Sequence, residues 1–367
     1  MNFIAGSGRL EDRRVLYLGI HDRGYPRNRT IRCELESAGY VVDEAEFDIA
    51  RGFMAECFRH VRLAWSLYRR SSRYSLVVLG EFSLQLVIPA AAVARAVRAP
   101  LVVDRFIGLY ETRVSDWRST RPWSCRALAY RFIDYGAGYL ADCILIDTEM
   151  RARQLRGKVG SSKQILAVPV GAPAWAVPSG KTIERTGPTR ILYYGNYIPL
   201  HGLEVLIPML GNLSSRVSYE LTMIGDGASR PEIEKLVAQY AMNDITEFID
   251  PVPEAELISH IRSSDLVVGT FGHSPKAKSV VANKVWQGVC AGVPVITRSS
   301  EAYFDWPAAA RAMLFEVTSE SALQSAVASC RAVSDEQRSA AFDSLQEFCR
   351  HHYSQLISAM HELESAL

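Results

Sequence analysis

The chain has seven cysteines in 367 residues, yet none of them forms a Cys-x-x-Cys pair. An odd, scattered set argues against a disulfide framework and against zinc, and suits a reducing cytosol. An excess of one charge is also missing. Lys and Arg number 41 against 40 Asp and Glu, a net charge of +1, so no global field draws nucleic acid or an acidic partner. The opening MNFIAGSGRLEDRR lacks a basic start followed by an apolar core, and does not read as a secretory signal. The most apolar window, Leu76 to Val97, is interrupted by Glu81, Pro89 and Arg95. It reads as a strand, a loop and a buried helix rather than a membrane span. No first βα turn reads Gly-x-Gly-x-x-Gly, and a lone Gly225-Asp226-Gly227 does not supply that fingerprint, which counts against a nicotinamide-dependent oxidoreductase. No Asp-x-Asp metal motif, short-period repeat or low-complexity tract is visible.

What is present is an ordinary globular composition, 48% hydrophobic and 22% charged, in a chain long enough for two domains. The most informative stretch is 265–298. Leu266 to Val268 reads as a buried strand, and a loop with Gly269, Gly272 and Pro275 follows. A helix from about Val280 to Cys290 leads into the strand Val293-Pro294-Val295-Ile296. This is the grammar of a parallel α/β sheet, which binds ligands beyond the carboxyl ends of its strands. The loop there carries Lys276 and Lys278. The next helix begins beside them, so cations and free backbone N–H groups converge on a predicted phosphate site.

The first half repeats this alternation. Arg14 to Gly19 reads as a strand, His21 to Arg29 as a loop, Thr30 to Ser37 as a helix and Tyr40 to Ala45 as a second strand. The loop HDRGYPRNR, with Tyr25, Arg27 and Asn28, is either a solvated turn or part of a ligand site. Residues 51–73 form a basic, aromatic helix in which Phe53, Cys57, Val61, Trp65 and Tyr68 recur at helical spacing. That face either packs on the sheet or forms a membrane-surface patch giving at most weak association. After the strand Pro100 to Asp104, the polar residues Asp104, Arg105, Tyr110 and Glu111 are candidates for an acceptor pocket. A helix over Trp123 to Tyr139 and a strand over Ala141 to Thr148 follow, and the stretch Gln164 to Gly171 closes this half. The expected division is a Rossmann-like domain over 1–172, a linker at 173–189, a second Rossmann-like domain over 190–334, and a helical segment at 335–367 packing back on the first domain.

In the second half, YYGNYIPLHG, MIGDGASRPEIE, VPEAELISHIRSSDLVV and the segment from Asn283-Lys284 to AGVPVI follow one another in order. Together with ADCILIDT and VPVGAP they resemble the GT-B glycosyltransferases, and within them the retaining family four, which uses sugar nucleotides. YLGIHDRGYPRNR is similar to the first loop of a bacterial subgroup. The resemblance covers nearly the whole chain. It implies two doubly wound Rossmann-like domains facing across a cleft, with the donor on the second and the acceptor on the first.

The resemblance also implies donor contacts from Gly195, Gly202, Gly225, Asn283 and Lys284. Asn196 and His201 stand where the family places an Arg and a Lys on the donor diphosphate, and neither is a permanent cation. Ser279 and Gln287 stand where the family has two glutamates. Gln287 keeps the capacity to bond ribose hydroxyls, while Ser279 offers only a short hydroxyl. Charge would then come from Lys276, Lys278 or Lys284. Asp104 and Lys276 are the candidates for catalytic contact. The implied reaction is metal-free and uses no cofactor beyond the nucleoside-diphosphate sugar. The acceptor is a polysaccharide, a lipid-linked or a small-molecule hydroxyl. The expected location is cytoplasmic, peripheral to the inner membrane face if the basic helix binds lipid. The alternative is a GT-B shell without catalysis, kept as a subunit or regulator.

Overall fold

The computed structural model describes residues 13–19, 22–46, 53–69, 73–117, 119–160, 163–179 and 186–366. The N-terminal segment, His21, the two ends of the 51–73 helix and the middle of the 173–189 linker lie outside the described residues.

The first unit runs β1 (Arg14–Gly19), α1 (Pro26–Ser37), β2 (Val41–Glu46), α2 (Phe53–Arg69), β3 (Leu76–Leu79), α3 (Val87–Val97) and β4 (Leu101–Asp104). A π-helical turn (Glu111–Asp116) follows, then α4 (Cys125–Leu140), β5 (Cys143–Ile146), α5 (Glu149–Val159) and β6 (Gln164–Ala167). Its strands are parallel, in the order β2–β1–β3–β4–β5–β6. Every residue of β3, β4 and β5 is buried, as expected of parallel strands covered on both faces.

The second unit runs β7 (Thr189–Tyr194), α6 (Leu203–Leu213), β8 (Tyr219–Ile224), α7 (Arg230–Gln239), β9 (Thr246–Ile249) and α8 (Glu254–Ser263). It continues through β10 (Leu266–Val268), α9 (Asn283–Cys290), β11 (Val295–Thr297), α10 (Ala308–Arg311), β12 (Leu314–Glu316) and α11 (Glu320–Ser329). The order β12–β11–β10–β7–β8–β9 is again all parallel. Strand order reverses between β1 and β3 in one sheet and between β7 and β10 in the other. Those two switch points are where open α/β sheets form crevices.

A long final helix, α12 (Asp335–Ser365), starts on a capping box in which Ser334 and Gln337 satisfy each other's backbone N–H. Its first half packs Ala341, Leu345 and Cys349 against Trp286 and Trp306 of the second unit. Its later turns place Leu356, Ala359 and Met360 in the same core as Val15, Tyr17 and Val78 of the first. One helix thus buries apolar side chains in both units and ties them together.

Two local expectations change, and one left open narrows. The first helix begins at Pro26, not Thr30, because proline suits the first helical position, so Arg27 and Asn28 sit on α1 rather than in a loop. The helix expected from Val280 begins at Asn283, and the β-branched Val280 and Val281 stay buried outside it. In α2 the two readings of the apolar stripe divide at Val61 and Trp65. Val61 and Trp65 are exposed, while Leu63 and Ala64 reach the core. The helix packs mainly on α3, through the face that carries Leu63 and Ala64.

Candidate functional site

The crevice between β7 and β10 is lined by glycines that admit close backbone approach. At Gly225 (φ +129°) a Cβ would lie 2.2 Å from the Gly195 carbonyl oxygen, which closes the ends of β7 and β8 together. At Gly202 (φ +63°) a Cβ would lie 2.2 Å from the Gly272 nitrogen, so the loops after β7 and β10 touch across the switch point.

Beneath these loops lies the ammonium of Lys284. It is buried, has no hydrogen-bond partner among the described residues, and sits 4.0 Å from the centroid of the Tyr193 ring. Burial pulls its pKa well below the usual lysine range. Lys284 belongs to the first turn of α9, whose N-terminus no side chain caps. The positive end of an uncapped helix and an amino group with no hydrogen-bond partner among the described residues thus share one place. Gly195 brings its backbone to the same place: a Cβ there would stand 3.8 Å from the Lys284 nitrogen and 3.7 Å from the His201 ring.

His201 is buried, and its Nδ1 lies 2.8 Å from the Tyr193 hydroxyl. That hydroxyl also lies 2.8 Å from the Asn196 carbonyl oxygen, which can only accept. The single phenolic proton therefore goes to the carbonyl, and a neutral His201 carries its own proton on Nδ1. Burial, then the Lys284 charge, hold its pKa well below the usual histidine range. Its Nε2 can donate to a phosphate oxygen only by taking up a proton.

Gln287 accepts at its amide oxygen from the Tyr194 hydroxyl at 2.8 Å, which leaves the NH2 end to bond outward. Asn196 is exposed at the crevice mouth. Asn283, at the start of α9, comes close enough to the Tyr25 hydroxyl of the first unit to offset part of the rise that burial imposes on its pKa. Tyr25 in turn packs edge-on against Phe82 at 5.4 Å. This pair brings a candidate acceptor contact and a candidate donor contact together across the seam.

Other predicted site residues lie elsewhere. Asp104 forms a buried ion pair with Arg27, at 2.9 and 3.0 Å, and also accepts from the Phe106 N–H at 3.1 Å. Both of its oxygens are taken, so the expected sugar contact gives way to a structural one. Arg27 is engaged by that pair and by the Val168 carbonyl, so neither member has a group left over for an acceptor. Asn28 is buried between the Tyr17 hydroxyl, the Asp22 carbonyl and Glu81. Arg105 is buried 4.0 Å from Asp134, and the same carboxylate accepts from the Tyr110 N–H at 3.0 Å.

Lys276 crosses the seam. Its ammonium bonds the Thr112 hydroxyl at 3.1 Å on the π-helical turn, and Ser274 bonds Asp116 of the same turn at 2.9 Å. The expected phosphate contact is thus, in this conformation, a buried tether between the units. Ser279 is occupied in the same way: its hydroxyl donates to the Lys276 carbonyl, and its own carbonyl accepts from Thr148 at 3.0 Å. Lys278 is exposed on the wall of a separate cavity of about 660 Å³ beside the ends of β11 and β12. Met150, His273, Arg298 and Ser300 share that wall, whereas Lys284, His201 and Gly195 do not line it.

Sequence reasoning passed over Glu81, which entered only as an interruption of an apolar window. It follows β3 at the first unit's switch point and is fully buried. Its Oε1 accepts from Asn28 at 2.6 Å, and its Oε2 has no partner among the described residues. Burial, then the neighbouring Asp104 charge, push its pKa up to about 8, so it holds its proton far more tightly than an ordinary glutamate. The residue after it, Phe82, holds a left-handed φ of +60°, a strained value for an aromatic residue. An acid directly after an apolar strand was the only signal in the sequence.

Two parallel sheets of Rossmann type, with switch-point crevices brought together at a polar seam and joined by a shared C-terminal helix, define the GT-B architecture. The family model described as "Glycosyl transferases group 1" matches residues 179–330, essentially the second unit and less than half of the chain. Solved structures of the same fold include sucrose-phosphate synthase from Thermosynechococcus elongatus. It is 16% identical, with a TM-score of 0.72, over 97% of this chain and 100% of that one. Anabaena HepE in complex with UDP and glucose is 12% identical, with a TM-score of 0.63, over 96% of this chain and 100% of that one. The lipopolysaccharide outer core galactosyltransferase WaaB is 11% identical, with a TM-score of 0.62, over 95% and 99%. At such identities the likeness is one of fold. No curated protein matches the chain.

Proposed function

We propose that the protein transfers a sugar from a nucleoside-diphosphate sugar to an acceptor hydroxyl, with retention of anomeric configuration and without a metal. The observation that carries this reading is the buried amino group of Lys284, which rests on the Tyr193 ring and has no hydrogen-bond partner among the described residues, beneath an uncapped helix N-terminus at a sheet switch point. Such a cation is costly to bury unless an anion completes it. A diphosphate is the anion whose charge grows during glycosyl transfer, and preorganised donors there stabilise the transition state. The HepE structures contain UDP, UDP with glucose, or UDP-glucose, which makes a nucleotide sugar the natural donor to test here.

In the reaction, the bond between the anomeric carbon and the diphosphate oxygen breaks as the acceptor oxygen bonds the same carbon. The acceptor's hydroxyl proton passes to the departing phosphate, so no protein base is required. Lys284, the α9 N-terminus and His201 take the charge on the leaving group. The NH2 of Gln287 is left to reach ribose, and Tyr25 and Asn283 border the place where acceptor and sugar meet. Within the GT-B class we assign the chain to a bacterial retaining subgroup with the PLHG loop, acting on a hexose. Its scattered cysteines, unpaired at the six positions described, favour a cytoplasmic setting.

Ser279 favours a second reading, a non-catalytic subunit that binds a nucleotide sugar. It stands where a sugar-binding acid is expected, and both its hydroxyl and its carbonyl are engaged within the protein. The two readings separate in one assay. The protein is incubated with UDP-, GDP-, dTDP- and ADP-hexoses, acceptor extract and a chelator, and nucleoside diphosphate is measured. Catalysis predicts release of one diphosphate with chelator present. Binding to one donor, seen as a rise in melting temperature without any release, supports the subunit reading.

A further inference from the structure

We infer that the outer face of helices α2, α3 and α4 is a docking surface for an anionic lipid bilayer. These helices lie side by side on one face of the first sheet. Leu63, Ala64, Ala90, Val93, Val97, Ile133 and Ala137 supply their inward contacts to a common core. Their outward residues are strongly apolar. On α2, Phe58 is 64% exposed and is followed by exposed Val61 and Trp65, an i, i+3, i+7 stripe. On α4, Leu128, Phe132 and Tyr139 form an i, i+4, i+11 stripe in which Phe132 is 71% exposed. Ile88 on α3 is exposed between them, and Trp123, just before α4, is 89% exposed. Scattered exposed apolar residues are normal, but large ones gathered on adjacent helices mark an interaction site.

The charge around these stripes identifies the occupant. The chain as a whole balances 41 Lys and Arg against 40 Asp and Glu, but this face does not share that balance. Arg62, Arg95, Arg98, Arg121, Arg126 and Arg131 are all exposed on or beside the three helices. The only acids in the three helical sequences are Glu56 and Asp134, and Asp134 is buried, accepting from the Leu109 and Tyr110 N–H groups. Arginine beside exposed Trp, Phe and Tyr suits the headgroup layer of an anionic membrane, where aromatic rings insert and guanidinium groups meet phosphate. No helix among the described residues is long and apolar enough to cross a membrane, so the fitting geometry is adsorption on the surface. A second copy on the same face would set arginines against arginines across a two-fold axis, which electrostatics disfavours.

This surface lies apart from the Lys284 crevice and needs no turnover to be tested. The purified full chain is floated with phosphatidylcholine vesicles, with or without 30% phosphatidylglycerol. Recruitment to the anionic vesicles alone is expected, weakening with salt. At least tenfold weaker partitioning is expected for Trp123→Ser/Phe132→Ser and for Arg126→Gln/Arg131→Gln. These exposed positions should leave circular dichroism and melting temperature unchanged, which separates lost docking from lost folding. No recruitment, or recruitment untouched by both variants, overturns the inference. So does a concentration-dependent dimer, in sedimentation, that the same substitutions dissolve. None of these results bears on sugar transfer.

Discussion

Lys284→Met is expected to make the unliganded protein more stable and the enzyme much slower. The amino group is buried without a hydrogen-bond partner among the described residues, and methionine fills a similar volume without a charge to desolvate. Removing an unsatisfied buried polar group typically recovers about 1–3 kcal/mol, read as a higher urea midpoint. The same change removes a preorganised charge from the leaving group, a loss of roughly 10²–10³ in kcat/KM. Opposite signs in stability and activity mark a group kept for function at the expense of the fold. If Lys284→Met lowers stability and leaves turnover intact, Lys284 is a packing residue and the phosphate site lies elsewhere.

Asp104→Ala should give the opposite pattern. Asp104 and Arg27 are each fully buried, and the aspartate is held by two guanidinium bonds and a backbone N–H. Deleting one partner leaves a charge uncompensated in the core, at a cost of about 3–5 kcal/mol. Turnover per folded molecule should hardly change, because no oxygen of Asp104 is available to a sugar. The double variant Asp104→Leu/Arg27→Met should recover much of the lost stability, since it leaves no orphaned charge. Urea unfolding of the three variants, with kinetics at a temperature where each is folded, decides the matter. A stable Asp104→Ala protein without activity would return this residue to the catalytic set.

Much of the fold was legible because parallel strands buried on both faces read as short apolar runs. Leu266 to Val268 and Val295 to Thr297 are such runs, and the glycines at their ends place the crevices. Lys284 was named only as one of three possible cations beside the donor. With the helix expected from Val280, its place in the first turn of α9 emerged only from the folded chain. The partners of charged residues were not. Asp104 at a strand end looks the same whether it meets a ligand or an arginine 77 positions away, and only the packed chain distinguishes the two. Lys276 is similar: its partner, Thr112, is 164 residues distant in the other unit. The α2 stripe was left between packing on the sheet and facing outward for a related reason. Periodicity shows that a helix has an apolar face, but not whether a neighbour covers it.

The central claim is that a diphosphate completes the charge of Lys284, and calorimetry reads it directly. Burial lowers the Lys284 pKa well below 10.5 in the unliganded protein, and a phosphate beside it favours the ammonium. Between the lowered value and 10.5, binding must therefore take up a proton, and affinity must weaken as pH rises through that window. His201 adds uptake of the same sign, because its Nε2 bonds phosphate only when protonated. Titration of the preferred nucleoside diphosphate over a series of pH values up to 10, in two buffers of different ionisation enthalpy at each, should show net proton uptake that grows as pH rises into that window and shrinks in Lys284→Met. Binding with no uptake, or with uptake unchanged in that variant, contradicts the account.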